Sequence, residues 1–121
     1  MVDIKKDLLE LNRPVYYEGD APEKLPDEYY TVSEDYTSDN LNADNETLEY
    51  LYEFTLKWYT KDANRLYTGL QEAITLLKAK GYLIEGVGYK NSTYQNTWLS
   101  RMVDVEKIDY LKKEGKANET I

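Results

Sequence analysis

The stretch "TLEYLYEFTLKWYT", residues 47–60, decides the fold. Leu48, Tyr50, Tyr52, Phe54, Leu56 and Trp58 occupy alternate positions. Thr47, Glu49, Glu53, Thr55 and Lys57 lie between them, and Leu51 alone breaks the pattern. A period of two marks a strand with one face on a core and the other toward water. Tyr50, Tyr52 and Trp58 therefore read as core. The run is roughly twice the length of an ordinary strand; if such strands extend beyond the helices, their ends would project from the domain.

Downstream the period changes to that of a helix over residues 62–80. Asp62 is placed to cap it. Ala63, Leu66, Leu70, Ala73, Ile74 and Leu77 form one apolar stripe. Lys78 and Lys80 suit the negative end, and Gly81 suits the position just beyond it. Gly69 costs about 1 kcal/mol relative to Ala inside a helix, which points to close approach by a neighbour. "YLIEGVGY" (82–89) and "TWLSRMVDVEKIDYL" (97–111) read as two further strands joined by "KNSTYQN". "KKEGKANETI" (112–121) has no apolar pattern and reads as a mobile tail.

Upstream, "TSDNLNADNE" (37–46) is a polar loop by composition, since Asn and Asp bond their own backbone in turns. "EYYTVSEDY" (28–36) has strand composition, and "VYY" (15–17) a short extended one. Pro22 and Pro26 stiffen the segment between. Residues 3–12 read as a helix with Ile4, Leu8 and Leu11 on one side and Asp3 as cap; Pro14 then removes Arg13 from the helical region. The expectation is one α+β domain over residues 1–111. It has a small mixed or antiparallel sheet with two helices on one face, in the order α-β-β-β-α-β-β.

The chain has 121 residues, a net charge of −8 and a pI near 4.6. Such a surface is unsuited to holding nucleic acid, which needs basic groups against phosphate. Cysteine and histidine are absent. Disulfides and thiolate chemistry are thereby excluded, along with the commonest general base and metal ligand. Acidic pairs such as Asp20 with Glu23, or Glu34 with Asp35, arise by chance among 23 acids. Residues 35–46, "DYTSDNLNADNE", outline a calcium loop with Asp35, Asp39 and Glu46. Asn40 stands where that loop needs glycine, however, and the flanks read as strands. The reading is therefore no enzyme, no metal and no cofactor. The N-terminus lacks the apolar core of a signal peptide and no run reaches a membrane span, so synthesis in the cytoplasm is expected. The Asn-Xaa-Ser/Thr triplets at 45, 91 and 118 then carry no meaning.

Thirteen tyrosines stand against one phenylalanine. Tyrosine suits half-buried sheets and also suits interfaces, where its ring is covered and its hydroxyl stays wet. Tyr16, Tyr17, Tyr29, Tyr30 and Tyr36 sit among prolines and acids and are candidates for an adhesive surface.

The layout resembles the tail terminator, or tail completion, proteins of long-tailed bacteriophages. The likeness is carried by "RPVYY" (13–17), "AP" (21–22), "YYTV" (29–32), "LKWYTKDANRLYTGLQEAI" (56–74), "KGYLIEG" (80–86) and "YQNTWLSRMVDV" (94–105), in that order. It spans roughly residues 1–110. Glu18 intervenes before Gly19, where the family often has glycine directly after its Pro-Tyr segment. The resemblance implies a homohexameric ring on the last ring of the tail tube protein. The ring ends tube growth and offers a face to the head-completion or connector protein, in a virion assembled in the host cytoplasm. DNA passes through its lumen without specific binding, and no membrane is involved. Tyr16, Tyr17, Tyr29, Tyr30, Tyr36, Asn40, Arg65 and Arg101 are then the expected subunit or tube contacts. Two other readings stay open: a different neck or head-completion structural protein, and an acidic inhibitor that mimics DNA to block a nucleic-acid enzyme.

Overall fold

Two helices and five strands follow one another as α1 (Ile4–Leu8), β1 (Val15–Tyr17), β2 (Glu28–Leu41), β3 (Thr47–Thr60), α2 (Leu66–Ala79), β4 (Leu83–Tyr94) and β5 (Trp98–Lys112). They are seen in a computed structural model that describes residues 2–41, 47–94 and 97–112. A 3-10 turn, Leu9–Leu11, extends α1, and another, Ala63–Arg65, leads into α2. The chain is thus α+β, with the expected succession of elements modified by these two turns.

The sheet order is β1-β2-β3-β5-β4. β1 runs parallel to β2, and every other pair is antiparallel. Trp58 lies opposite Tyr30 and Arg101, and Leu56 opposite Val32 and Val103. This register places Tyr30, Val32, Phe54, Leu56, Trp58, Val103 and Val105 in one core with Ile4 and Leu8 of α1 and Leu70, Ala73 and Leu77 of α2. Tyr52 packs at its margin, and Tyr50 beyond it is half-buried.

The caps form as their residues dictate. Asp3 accepts from the Lys6 amide at 3.1 Å and Asp62 from the Asn64 amide at 2.9 Å. Gly81 takes φ +93° just past α2, where a side chain would be strained. The Lys107 ammonium donates to the Lys80 carbonyl at the end of α2. Gly69 faces the indole of Trp58, so close that a Cβ there would overlap Cε2, Cζ2 and Nε1. That approach is what the glycine inside the helix serves.

Four expectations are corrected. The first helix is shorter than residues 3–12: after α1 and its 3-10 turn, Asn12 enters the left-handed region at φ +60°. Ala63 is exposed rather than part of the α2 stripe, because a 3-10 turn has three residues per turn and does not carry the 3.6-residue phase backward. Residues 37–41 are strand, not loop, with Thr37 opposite Tyr52 and Leu41 opposite Leu48. A long β3 offers a row of backbone donors and acceptors, and completing that ladder outweighs the local turn preference of Ser, Asp and Asn. Residues 90–94 likewise continue β4 along β5. The remainder of the expected loop, 42–46, and residues 113–121 of the expected tail lie outside the described residues.

Candidate assembly surface

The second face of the sheet is covered at one end. Tyr29 stacks on Tyr59 with centroids 4.6 Å apart and planes at 8°, and Tyr16 meets Tyr29 edge-on at 5.9 Å. Trp98 lies on this face two residues before Ser100, which is opposite Tyr59. The Trp98 Nε1–H donates to the Pro26 carbonyl at 3.1 Å. Lys61 sits 4.6 Å from the Trp98 ring and pairs with Asp27 at 3.2 Å. Glu18, Gly19 and Ala21 border a small hollow with Tyr29, Thr31 and Tyr59. The proline-stiffened segment after β1 therefore folds against the sheet and closes a second, smaller aromatic core. Tyr29 (2% exposed) and Tyr30 (0%) are thereby corrected: they lie inside the subunit, on opposite faces, and offer nothing to a neighbour.

Tyr30 is held from several sides. Its hydroxyl donates to the Gly69 carbonyl at 2.7 Å and accepts from Arg13 at 3.0 Å. Arg13 pairs with Glu72 and lies 5.4 Å from the Trp58 ring, with Arg65 at 5.8 Å from the same ring. Burial pushes the Tyr30 hydroxyl up to about 12, although the Arg13 cation opposes the shift. Arg65 pairs with Glu28 at 2.6 Å, and Thr60 donates to the same carboxylate at 2.8 Å. Arg101 stands 4.9 Å from the ring of Tyr67. Both guanidiniums expected to serve the next subunit are engaged with groups of their own chain, because each lies beside an acid or ring that the fold brings across from another element.

Toward its other end the sheet narrows to an arm of three strands: residues 33–41 of β2, 47–53 of β3 and 106–112 of β5. On the helix side, Tyr50 and Tyr52 carry the aromatic row outward from Phe54, at 6.3 Å and 6.1 Å between successive centroids. On the other side, Leu51 lies across from an exposed Ile108, and Leu83 (56% exposed) lies across from Glu106. Glu53, Glu85 and Asp104 surround them in register. β1 borders β2 only at Tyr30–Val32, so no described strand pairs with the outer edge of 33–41 or of β4. The backbones of Tyr36 and Asn40 are in this arm, opposite Glu53 and Glu49; their side chains lie outside what the structure describes.

Of the remaining candidates, Tyr16 is half-buried against Tyr29, and Tyr17 is 41% exposed with the Lys5 ammonium 5.4 Å from its ring. Sequence reading missed Tyr67 (62% exposed), which with Leu11 and Leu76 lines a shallow apolar hollow on the outer side of α2. It also missed the Tyr29–Tyr59 stack, the anchoring of Trp98 to the Pro26 carbonyl and the full reach of the arm. One signal was available for the arm, since a strand as long as β3 needs neighbours of comparable length.

Among the described residues no three acidic groups are placed to hold a metal ion. Asp35 of the supposed calcium outline lies in β2, where its carboxylate accepts from Ser33 and Thr55. No helix among them is long and apolar enough to cross a membrane. No protein-family model matches this sequence, and no curated protein matches it either.

Proposed function

We propose that this chain is a structural subunit of a bacteriophage tail, one that closes into a ring on the end of the tail tube, stops its growth and offers a docking face to the head. The order of sequence segments that resembles tail terminators suggests the role. The observation that carries it is the polarity of the sheet. One end is a body covered on both faces, while the other narrows to a three-stranded arm whose outer edge no described strand pairs with. Exposed sheet edge is a hazard that a free-standing protein normally blunts or covers, so a subunit that keeps it is suited to assembly. The covered body fixes the arm at a defined angle, which reduces the entropy lost on docking.

The direct test removes the gene from the phage that carries it. Tails are then expected to reach uncontrolled length or fail to join heads, as seen by negative-stain electron microscopy. Tails of normal length that attach normally would rule the role out.

A further inference from the structure

The two outer edges of the sheet fit each other. Strand directions alternate from β2 through β3 and β5 to β4, so β2 and β4 run oppositely. If a second copy is placed beside the first by rotation about an axis running roughly along the strands, which preserves their directions, its β2 meets β4 antiparallel, the more stable ladder. The edges are also offset. The open stretch of β2, 33–41, lies level with Thr55 to Leu48 of β3. β4 lies beside Glu106 to Trp98 of β5, which is level with Glu53 and the residues following it in β3. The centres differ by five to six residues, or about 18 Å along the strands. From one β2 to the next copy's β2 is four strand spacings, about 19 Å across the sheet. Bringing the two edges level requires the strands to tilt by about 45° from the ring axis, within the range at which sheets close on themselves. An untilted arrangement would leave most of both edges unpaired.

We infer that copies of this chain join edge to edge, the outer edge of β4 in one copy pairing antiparallel with residues 33–41 of β2 in the next. The choice of a second copy as occupant rests on the ring reading given above. The contact is head-to-tail, so it propagates from copy to copy rather than stopping at a dimer, and it forms a ring where the rotation between copies closes. It also uses the main-chain groups that strand addition to a sheet edge uses elsewhere. No proline interrupts either strand.

The chain has no cysteine, so introduced thiols can be assigned without ambiguity. Thr37→Cys and Lys90→Cys proteins, mixed at high concentration in high salt and treated with a short bis-maleimide, are expected to give a heterodimer. The protein carrying both changes is expected to give a ladder that ends at a closed oligomer. Thr37→Cys alone should give no dimer. In the unmodified protein, amides of 33–41 and 83–94 should gain exchange protection on assembly. Dimers of Thr37→Cys alone, an oligomer that forms without the mixed cross-link or the added protection, or a protein that stays monomeric throughout would each overturn the edge pairing. Failure here is separable from failure of the ring's role. Overgrown tails without the gene, together with assemblies lacking the cross-link, would retain the terminator and remove this contact. Cross-linked rings with normal tails would do the reverse.

Discussion

Trp58 is the residue on which most of the interior converges. It is fully buried, donates to the Arg65 carbonyl at 2.9 Å and lies against Tyr30 at 4.7 Å between centroids. Trp58→Ala should cost about 3–5 kcal/mol, as large aromatic truncations in cores do, measured as a lowered midpoint in chemical denaturation. An unchanged midpoint would contradict the packing. Gly69→Ala tests the same contact from the other side. Alanine favours a helix by about 1 kcal/mol over glycine, but its Cβ would enter the indole, and an indole anchored by its own hydrogen bond cannot swing aside. Overpacking should win, with a net loss of about 1–3 kcal/mol, whereas a stabilised variant would show that the ring moves. Tyr30 adds a pH dependence. Its proton is held to about 12 in the fold against an ordinary 10.0. The advantage of the native state is therefore whole below pH 10 and is lost as pH rises through 12. Burial beside Asp7 raises Tyr82 too, with the same sign. Tyr30→Phe should make the loss of stability between pH 10 and 12 shallower without abolishing it, as read by denaturation midpoints across that window.

At the scale of elements, the arm and the body differ in cover. Residues 37–41 pair with β3 toward the narrow end of the sheet, whereas Val32 and Leu56 share one core with α1 and α2. Amides of 37–41 should exchange more slowly than in an unstructured chain and faster than those at Val32 and Leu56, because local opening is easier where little apolar area is buried. Unstructured rates at 37–41 would contradict the strand. The end of α2 offers a second test. Lys107 reaches from β5 to the last turn, and its ammonium lies 4.9 Å from the Tyr82 ring. Lys107→Met retains the stem and removes the charge, and should cost about 1 kcal/mol through the lost carbonyl partner and helix-end charge. No change in stability would mean that water serves that carbonyl equally well.

For the whole molecule, a charge of −8 opposes the meeting of copies. Association, measured by sedimentation, should strengthen as salt rises from low to physiological, since the screening length falls from about 30 Å at 0.01 M to about 8 Å at 0.15 M. Weakening with salt would mean that complementary charges, rather than backbone edges and apolar contacts, join the copies.

What the sequence determined by itself was local and periodic. Alternation fixed β3, the 3.6-residue stripe fixed α2, Asp3 and Asp62 marked helix starts, Gly81 marked a helix end, and Gly69 announced a close neighbour. Each of these depends on residues near one another along the chain, so composition and spacing were enough. Tertiary structure decided where the tyrosines went and how far the strands ran. Tyr29 and Tyr30 are adjacent and chemically alike, yet pleating sends them to opposite faces, and which face is covered depends on where the segment after β1 returns. Residues 37–41 have turn composition, yet they are strand because β3 lies beside them. Arg65 and Arg101 looked like spare cations until Glu28 and Tyr67 arrived from other elements. Burial, charge pairing and the extension of β2 and β4 depend on partners distant in sequence, so no pattern local to those segments could have assigned them.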